Sequence, residues 1–245
     1  MRFYHRLIPA KTVIGIALSL AEIRLCRMRI KLTTWQLEQN FSYSFQWDKE
    51  KPWAEIFSYL SSKGLSNHTL ISLSLPNTDA FLQCLNPFSP SIKSLFDPFH
   101  LSSQEISIQE HNAHGMTLIK KSALERLVKI LTQYKVFFHS WEHEALSLLR
   151  YAQHHASFSF HAITPLIYCQ NNREFYLFVH KNKLIYITIM NCPSSEGAYN
   201  IQEKINIIQQ NYFKDHPVAA PFFIQADPFA VAIGAALKMK WVFPW

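Results

Sequence analysis

Glycine is scarce in this chain, with 5 in 245 residues. Only glycine lets backbone amides approach phosphate oxygens closely in tight turns, so the shortage speaks against a glycine-rich nucleotide cradle. Charge is sparse as well, at 17%, while 49% of residues are apolar and 14% aromatic. That balance excludes a disordered chain. Cys26, Cys84, Cys169 and Cys192 lie far apart with no C-x-x-C pair, which excludes zinc-ribbon and thioredoxin motifs. Reduced, buried thiols are the expectation for a chain large enough to fold without staples. No apolar run approaches the roughly 18 residues of a membrane span.

What is present is a mild basic excess, a formal charge of +7. The bases are scattered, and the densest set, Arg2 to Lys31, alternates with apolar residues as on a solvated sheet face. No nucleic-acid-binding signature accompanies them. Met1 to Ala21 has a basic start, an apolar stretch and the small pair Ser19 and Ala21, the pattern of a secretory signal. Its apolar stretch is short, and it runs directly into the alternating Ile23 to Ile30, so a first core strand is the better reading.

Three strands open the chain as an antiparallel meander: Thr12 to Leu18, Glu22 to Ile30 and Thr34 to Phe45. The last needs a bulge near Asn40 to keep its alternation. A helix follows from Lys51-Pro52-Trp53 to Gly64, then a strand, Thr69 to Leu75. From Asp79 to Asn112 the pattern breaks up around Pro87, Pro90 and Pro98, as a loose insertion or a small subdomain. Gly115 to Leu149 reads as strand, helix, strand and helix, and this order favours helices on a mixed or parallel sheet. Ser122 and Glu125 give a capping box, and Val136 to Phe138 reads as the second strand. Beyond a His-rich link come three strands, at Leu166 to Tyr168, Glu174 to Val179 and Leu184 to Met190. A helix then runs from Tyr199 to Tyr212 with Ile201, Ile205, Ile208 and Tyr212 inward. Phe222 to Ile224 is a last strand, and Pro228 to Lys240 a last helix capped by Asp227.

One segment imitates a catalytic motif. His139-Ser140-Trp141-Glu142-His143 has the H-x-x-E-H form of a zinc hydrolase, with His139 and His143 as ligands and Glu142 as base. It follows a strand and straddles a turn, so a structural role for Glu142 or Glu144 at a helix N-terminus is favoured over metal catalysis.

Two words within the central unit carry a family resemblance. Ala123-Leu124-Glu125-Arg126-Leu127, and Trp141 to Arg150 with a D-x-E-A-x-A-L-like turn whose first position is Glu142, resemble the PilM-like pilus-assembly and competence proteins, including reduced ComA-like and HofM-like members. Ile14-Gly15-Ile16 and Ala230 to Leu237 resemble that family's opening strand and closing helix. The resemblance implies an α/β, actin-like (ribonuclease H-like) fold of two lobes with a reduced second lobe. Residues 1–160 would form the first lobe with an insertion around 79–112, 161–226 the second, and 227–245 a helix and tail packing back. It further implies a cytoplasmic protein, peripheral at the inner membrane, docking the tail of a PilN-like membrane protein, with other pilus-assembly subunits as further candidate partners, no direct nucleic-acid partner and membrane contact only through the partner. A GspL-like secretion component is the related alternative, and a retained ATPase or the zinc hydrolase the enzymatic ones.

Where such a fold holds nucleotide, this chain departs from the family. Ala17 and Ser19 replace the Asp and Gly of the first hairpin, Cys169 and Asn171 stand at the second, and Ile224 to Asp227 replaces the adenosine turn. The expectation is a degenerate site with no cofactor and no catalytic residue. The resemblance places partner binding beside the insertion, at Phe81, Phe88, Phe96 and Phe99.

Overall fold

A computed structural model describes residues 12–19, 22–31, 34–44, 51–62, 69–84, 106–111, 115–133, 139–155, 162–170, 172–191, 201–214, 216–224 and 227–238. They fall into two compact units. One comprises Met1–Ala80, Lys120–Tyr151 and Phe229–Trp245, the other Phe81–Ile119 and Ala152–Pro228.

The first unit is built on a five-stranded sheet of order β3-β2-β1-β4-β8. Its members are β1 (Thr12–Leu18), β2 (Glu22–Lys31), β3 (Thr34–Ser44), β4 (Thr69–Leu75) and β8 (Ser140–His143). The meander β1-β2-β3 is antiparallel, and β4 and β8 add in parallel. Thr12–Leu18 is therefore the central strand, flanked on both sides. The bulge expected near Asn40 lies two residues earlier: Arg27 faces Gln39 and Met28 faces Leu37. The skipped Glu38 reaches Arg27 at 3.2 Å and Arg29 at 2.9 Å, so the extra residue bridges two like charges on the neighbouring strand.

Helices α1 (Lys51–Ser62), α2 (Lys121–Gln133), α3 (Glu144–His155) and α5 (Ala230–Lys238) accompany this sheet in the chain. Every residue of α5 from Ala230 to Leu237 is buried. Two glycines make that possible. A Cβ on Gly15 would lie 1.9 Å from the Ala232 carbonyl oxygen, and one on Gly234 would lie 1.9 Å from that of Ser147. Helix α5 is thus wedged between β1 and α3 at backbone contact. It starts later than the sequence suggests, at Ala230, where the Ile233 amide bonds the Phe229 carbonyl at 2.8 Å.

In the second unit, β9 (Thr164–Gln170), β10 (Arg173–His180), β11 (Lys183–Asn191) and β12 (Phe222–Phe223) form a four-stranded sheet of order β11-β10-β9-β12. Helix α4 (Ile201–Ile208) continues into a π-helical turn, Gln209–Phe213. That extra residue per turn changes which side chain points inward: Phe213 is buried and Tyr212 is 42% exposed, reversing the sequence expectation. Phe213 joins Ile205, Ile208, Tyr176 and Phe178 in the core of this unit.

Within the stretch from Asp79 the described residues include strands of a further sheet. Strands β5 (Ala80–Cys84), β6 (Ile106–His111) and β7 (Gly115–Lys120) make a third sheet of order β5-β7-β6. Hence β7 and β8, consecutive in the sequence motif, belong to different sheets. Helix α2 starts at Lys121, one residue before the expected cap Ser122. The predicted strand Val136 to Phe138 lies outside the described residues, and the observed strand is Ser140–His143.

Candidate functional site

Strands β1, β4 and β8 are mutually parallel and in register, Ala17 beside Ser74 and Leu75 beside His143. Their carboxyl ends share one edge, where open α/β sheets bind ligands. Five donors on that edge are held by the chain itself. The Glu22 amide donates to Ser19 Oγ at 3.1 Å, while the Ser19 amide and hydroxyl donate to the Glu22 carbonyl at 2.9 and 3.0 Å. The Asn77 amide donates to Glu144 Oε1 at 2.9 Å. At the start of α3, the Ala145 amide donates to His143 Nδ1 at 3.1 Å, which fixes the His143 proton on Nε2, 3.3 Å from Asn77 Oδ1. A hydroxyl, a carboxylate and an imidazole thus occupy amides that an anion would otherwise meet.

Beneath this edge, Glu142 is almost fully buried and saturated. It accepts from Ser147 Oγ at 2.6 Å and from Arg150 Nη1 and Nη2 at 2.5 and 2.9 Å, with Lys238 Nζ at 3.6 Å. Burial opposes its ionisation, but Arg150 first, then Lys238 and Ser147, outweigh burial and hold its carboxyl below the ordinary glutamate range. Arg150 also donates to the Gly234 carbonyl at 2.9 Å and Lys238 to that of Trp141 at 2.8 Å. The cluster locks α5 to α3 and β8.

Four residues of the H-x-x-E-H motif form strand β8 with His139 just before it, and its members serve other purposes. His139 Nδ1 accepts from the Ile71 amide at 3.1 Å, His143 Nδ1 caps α3, and Glu142 is committed to Arg150. No group of three metal-ligating side chains forms among the described residues. Sequence reasoning missed Arg150 and Lys238. Arg150 stands three residues after Ser147 on one helix face, a spacing that could have exposed it; Lys238 has no local signal.

The second unit offers the corresponding edge between β9 and β10. Asn172 has φ 57 in a two-residue turn between Gln170 and Arg173, which pair across it. The Tyr168 hydroxyl lies 2.8 Å from both Gln170 Oε1 and the Asp227 carbonyl, either of which can accept its one proton. Gln170 Nε2 donates to the Pro228 carbonyl at 3.2 Å.

No protein-family model matches this chain, and no curated protein matches it by sequence. Solved structures do. A PilM-PilN type IV pilus biogenesis complex is similar with a TM-score of 0.66 at 10% identity, over 93% of this chain and 98% of that one. The cytoplasmic domain of EpsL, an inner-membrane component of the type II secretion system of Vibrio cholerae, gives 0.52 at 8% identity, over 96% of both. The chain has a PilM-type, actin-like fold.

Within that fold the sequence-predicted residues disperse. Ala17 is a half-buried strand residue opposite Arg24, and Ser19 bonds Glu22 across the first turn. Cys169 is an exposed thiol on β9, and Asn171 lies outside the described residues. Phe81 is half-buried on β5, whereas Phe88, Phe96 and Phe99 also lie outside them.

Proposed function

We propose that this chain is a non-catalytic cytoplasmic adaptor of a type IV pilus or DNA-uptake machine, docking the tail of a PilN-like inner-membrane protein. The fold likeness to PilM supports the class of machine. The observation that carries the non-catalytic reading is the ligand edge of the first sheet, where Ser19, Glu144 and His143 take the Glu22, Asn77 and Ala145 amides. A nucleotide would have to displace these bonds without a glycine-rich turn to receive it. Ala17, Ser19, Cys169 and Asn171 are the degenerate positions in this reading.

A ligand at a hundred times its dissociation constant stabilises the native state by about 2.7 kcal/mol, a shift of a few degrees for a protein this size. ATP with magnesium is expected to leave the melting midpoint unchanged. A saturable rise abolished by Ser19→Asp would overturn the reading.

We assign tail docking to the aromatics Phe81, Phe88, Phe96 and Phe99 on the sequence alone, as apolar side chains suited to an extended peptide. Phe96→Ser with Phe99→Ser should weaken capture of a PilN-like tail and leave the melting temperature nearly unchanged. The EpsL likeness favours a second reading, a secretion-system component. Co-purification with the product of the adjacent gene separates the two, since a pilus adaptor should retain a single-span PilN-like protein and a secretion component a different inner-membrane partner.

A further inference from the structure

One end of the second unit's sheet concentrates cations. The start of β9, the end of β10 and the start of β11 meet there: Val179 faces Thr164 and Leu184, and His180 faces Lys183. Ile163 bridges Val218 at the same end. The β10–β11 connection is only Lys181 and Asn182, with φ 49 and 61, a left-handed two-residue turn that places both at the hairpin tip. Helix α3 ends against it, Gln153 Nε2 reaching the Asn182 carbonyl at 3.5 Å. That contact brings up the exposed His154 and His155, their rings edge to face at 5.2 Å. Lys214 and His216 arrive just before Val218. Burial, followed by Lys181 and His216, pushes the His180 imidazole below its usual value.

No acidic residue occurs among the described residues of 153–155, 162–164, 179–184, 214 and 216–219, Asp215 lying outside them. Elsewhere acidic partners meet the bases, Glu22 with Arg24, Glu38 with Arg27 and Arg29, Glu174 with Lys204. The exposed Lys181, Lys183 and Lys214 enter no such pair among the described residues.

We propose that this end of the sheet rests directly on an anionic lipid bilayer, with Lys181, Lys183 and Lys214 among the headgroup phosphates and His154, His155, His180 and His216 beside them. Charge complementarity selects the occupant. Single-stranded nucleic acid is gripped with stacking aromatics, and among the described residues none of the exposed large aromatics, Tyr212, Phe222 and Phe223, lies in these segments. Each lysine near an anionic surface adds a modest attraction that salt screens. The contact is therefore weak alone and strengthens any protein-mediated attachment by keeping the chain at the surface.

Vesicle co-sedimentation of the full chain tests this, with phosphatidylglycerol-phosphatidylethanolamine vesicles against phosphatidylcholine vesicles. Binding is expected only to the anionic vesicles and should be lost at about 0.5 M salt. Lys181→Glu with Lys183→Glu should weaken it by at least about tenfold with the melting temperature retained, and Lys214→Glu less. Should the double variant misfold, Lys214→Glu alone decides. Equal binding to phosphatidylcholine, unaltered binding by folded charge-reversed variants, or displacement from vesicles by a DNA duplex at equal phosphate would each overturn the proposal, the last by revealing a polyanion site.

Discussion

Both units use the same opening, three antiparallel strands, a helix and then a strand parallel to the first, but they finish it differently. In the first unit β4 is followed by β8 on its outer side, and Leu73 is 0% exposed. In the second, β12 occupies the β4 place, among the described residues nothing follows it in the sheet, and Phe223 is 58% exposed. A parallel strand is stable only when covered on both faces, so β4 runs for 7 residues and β12 for 2. Leu73 on β4 is fully buried and α5 is buried from Ala230 to Leu237, while the second unit packs an aromatic core of Tyr176, Phe178 and Phe213.

The sharpest way to break this contrast is at the glycines that admit α5. Gly15→Ala places a methyl carbon where backbone atoms of Ala232 and Ala236 stand, at 1.9 and 2.6 Å. Backbone cannot swing aside as a flexible side chain can, so the helix must move. More than about 3 kcal/mol should be lost, read as a fall in the urea midpoint or as failure to fold. Leu73→Ala, which leaves a cavity in the same layer, should cost about 3 kcal/mol.

Next in size is the contrast between the buried carboxylates. Glu142→Gln leaves Arg150 and Lys238 without their anion and should cost about 3 kcal/mol. Glu174→Gln removes the partner of Lys204, a 2.6 Å pair whose lysine is 28% exposed, and should cost about 1 kcal/mol. Acid separates them further. The Glu142 carboxyl is held below its ordinary value of 4.5, so its stabilisation is fully present above that pH and lost as pH falls through the lower folded value. Urea midpoints of the wild type should drop across this window, and those of Glu142→Gln should drop less; equal slopes would remove Glu142 from the account.

What the sequence discloses follows the range of the forces involved. The meander Thr12–Leu18, Glu22–Lys31, Thr34–Ser44 and the strand Thr69–Leu75 were legible because alternation and flanking turns are local signals. So was the reduced second sheet, and the actin-like fold came through the resemblance. The π-helical turn was not, since Tyr212 and Phe213 are both aromatic and periodicity alone favours the α-helical spacing. Nor was the separation of β7 from β8, because an apolar run does not say which sheet it joins. At the site, the loss of glycine at the turns was visible, but the Glu142, Arg150 and Lys238 cluster spans 97 residues between Trp141 and Lys238, and no local pattern announces it. The H-x-x-E-H word misled for the same reason: what His139 and His143 bind is decided by Ile71 and Asn77 on another strand.

The smallest expected effect tests the incomplete edge itself. Phe223 is more than half exposed on a two-residue strand, so Phe223→Ser removes little apolar surface from the folded state's interior. It should change stability by about 0.5 kcal/mol or less, within the range of surface substitutions. Leu73→Ala, on β4, the strand in the corresponding place of the other unit, should cost several times more. The matched pair, compared by urea denaturation under one set of conditions, reports directly on whether the β4 and β12 positions differ in burial. A loss of about 2 kcal/mol or more from Phe223→Ser would mean that β12 is covered in solution, and that the second unit completes its sheet after all.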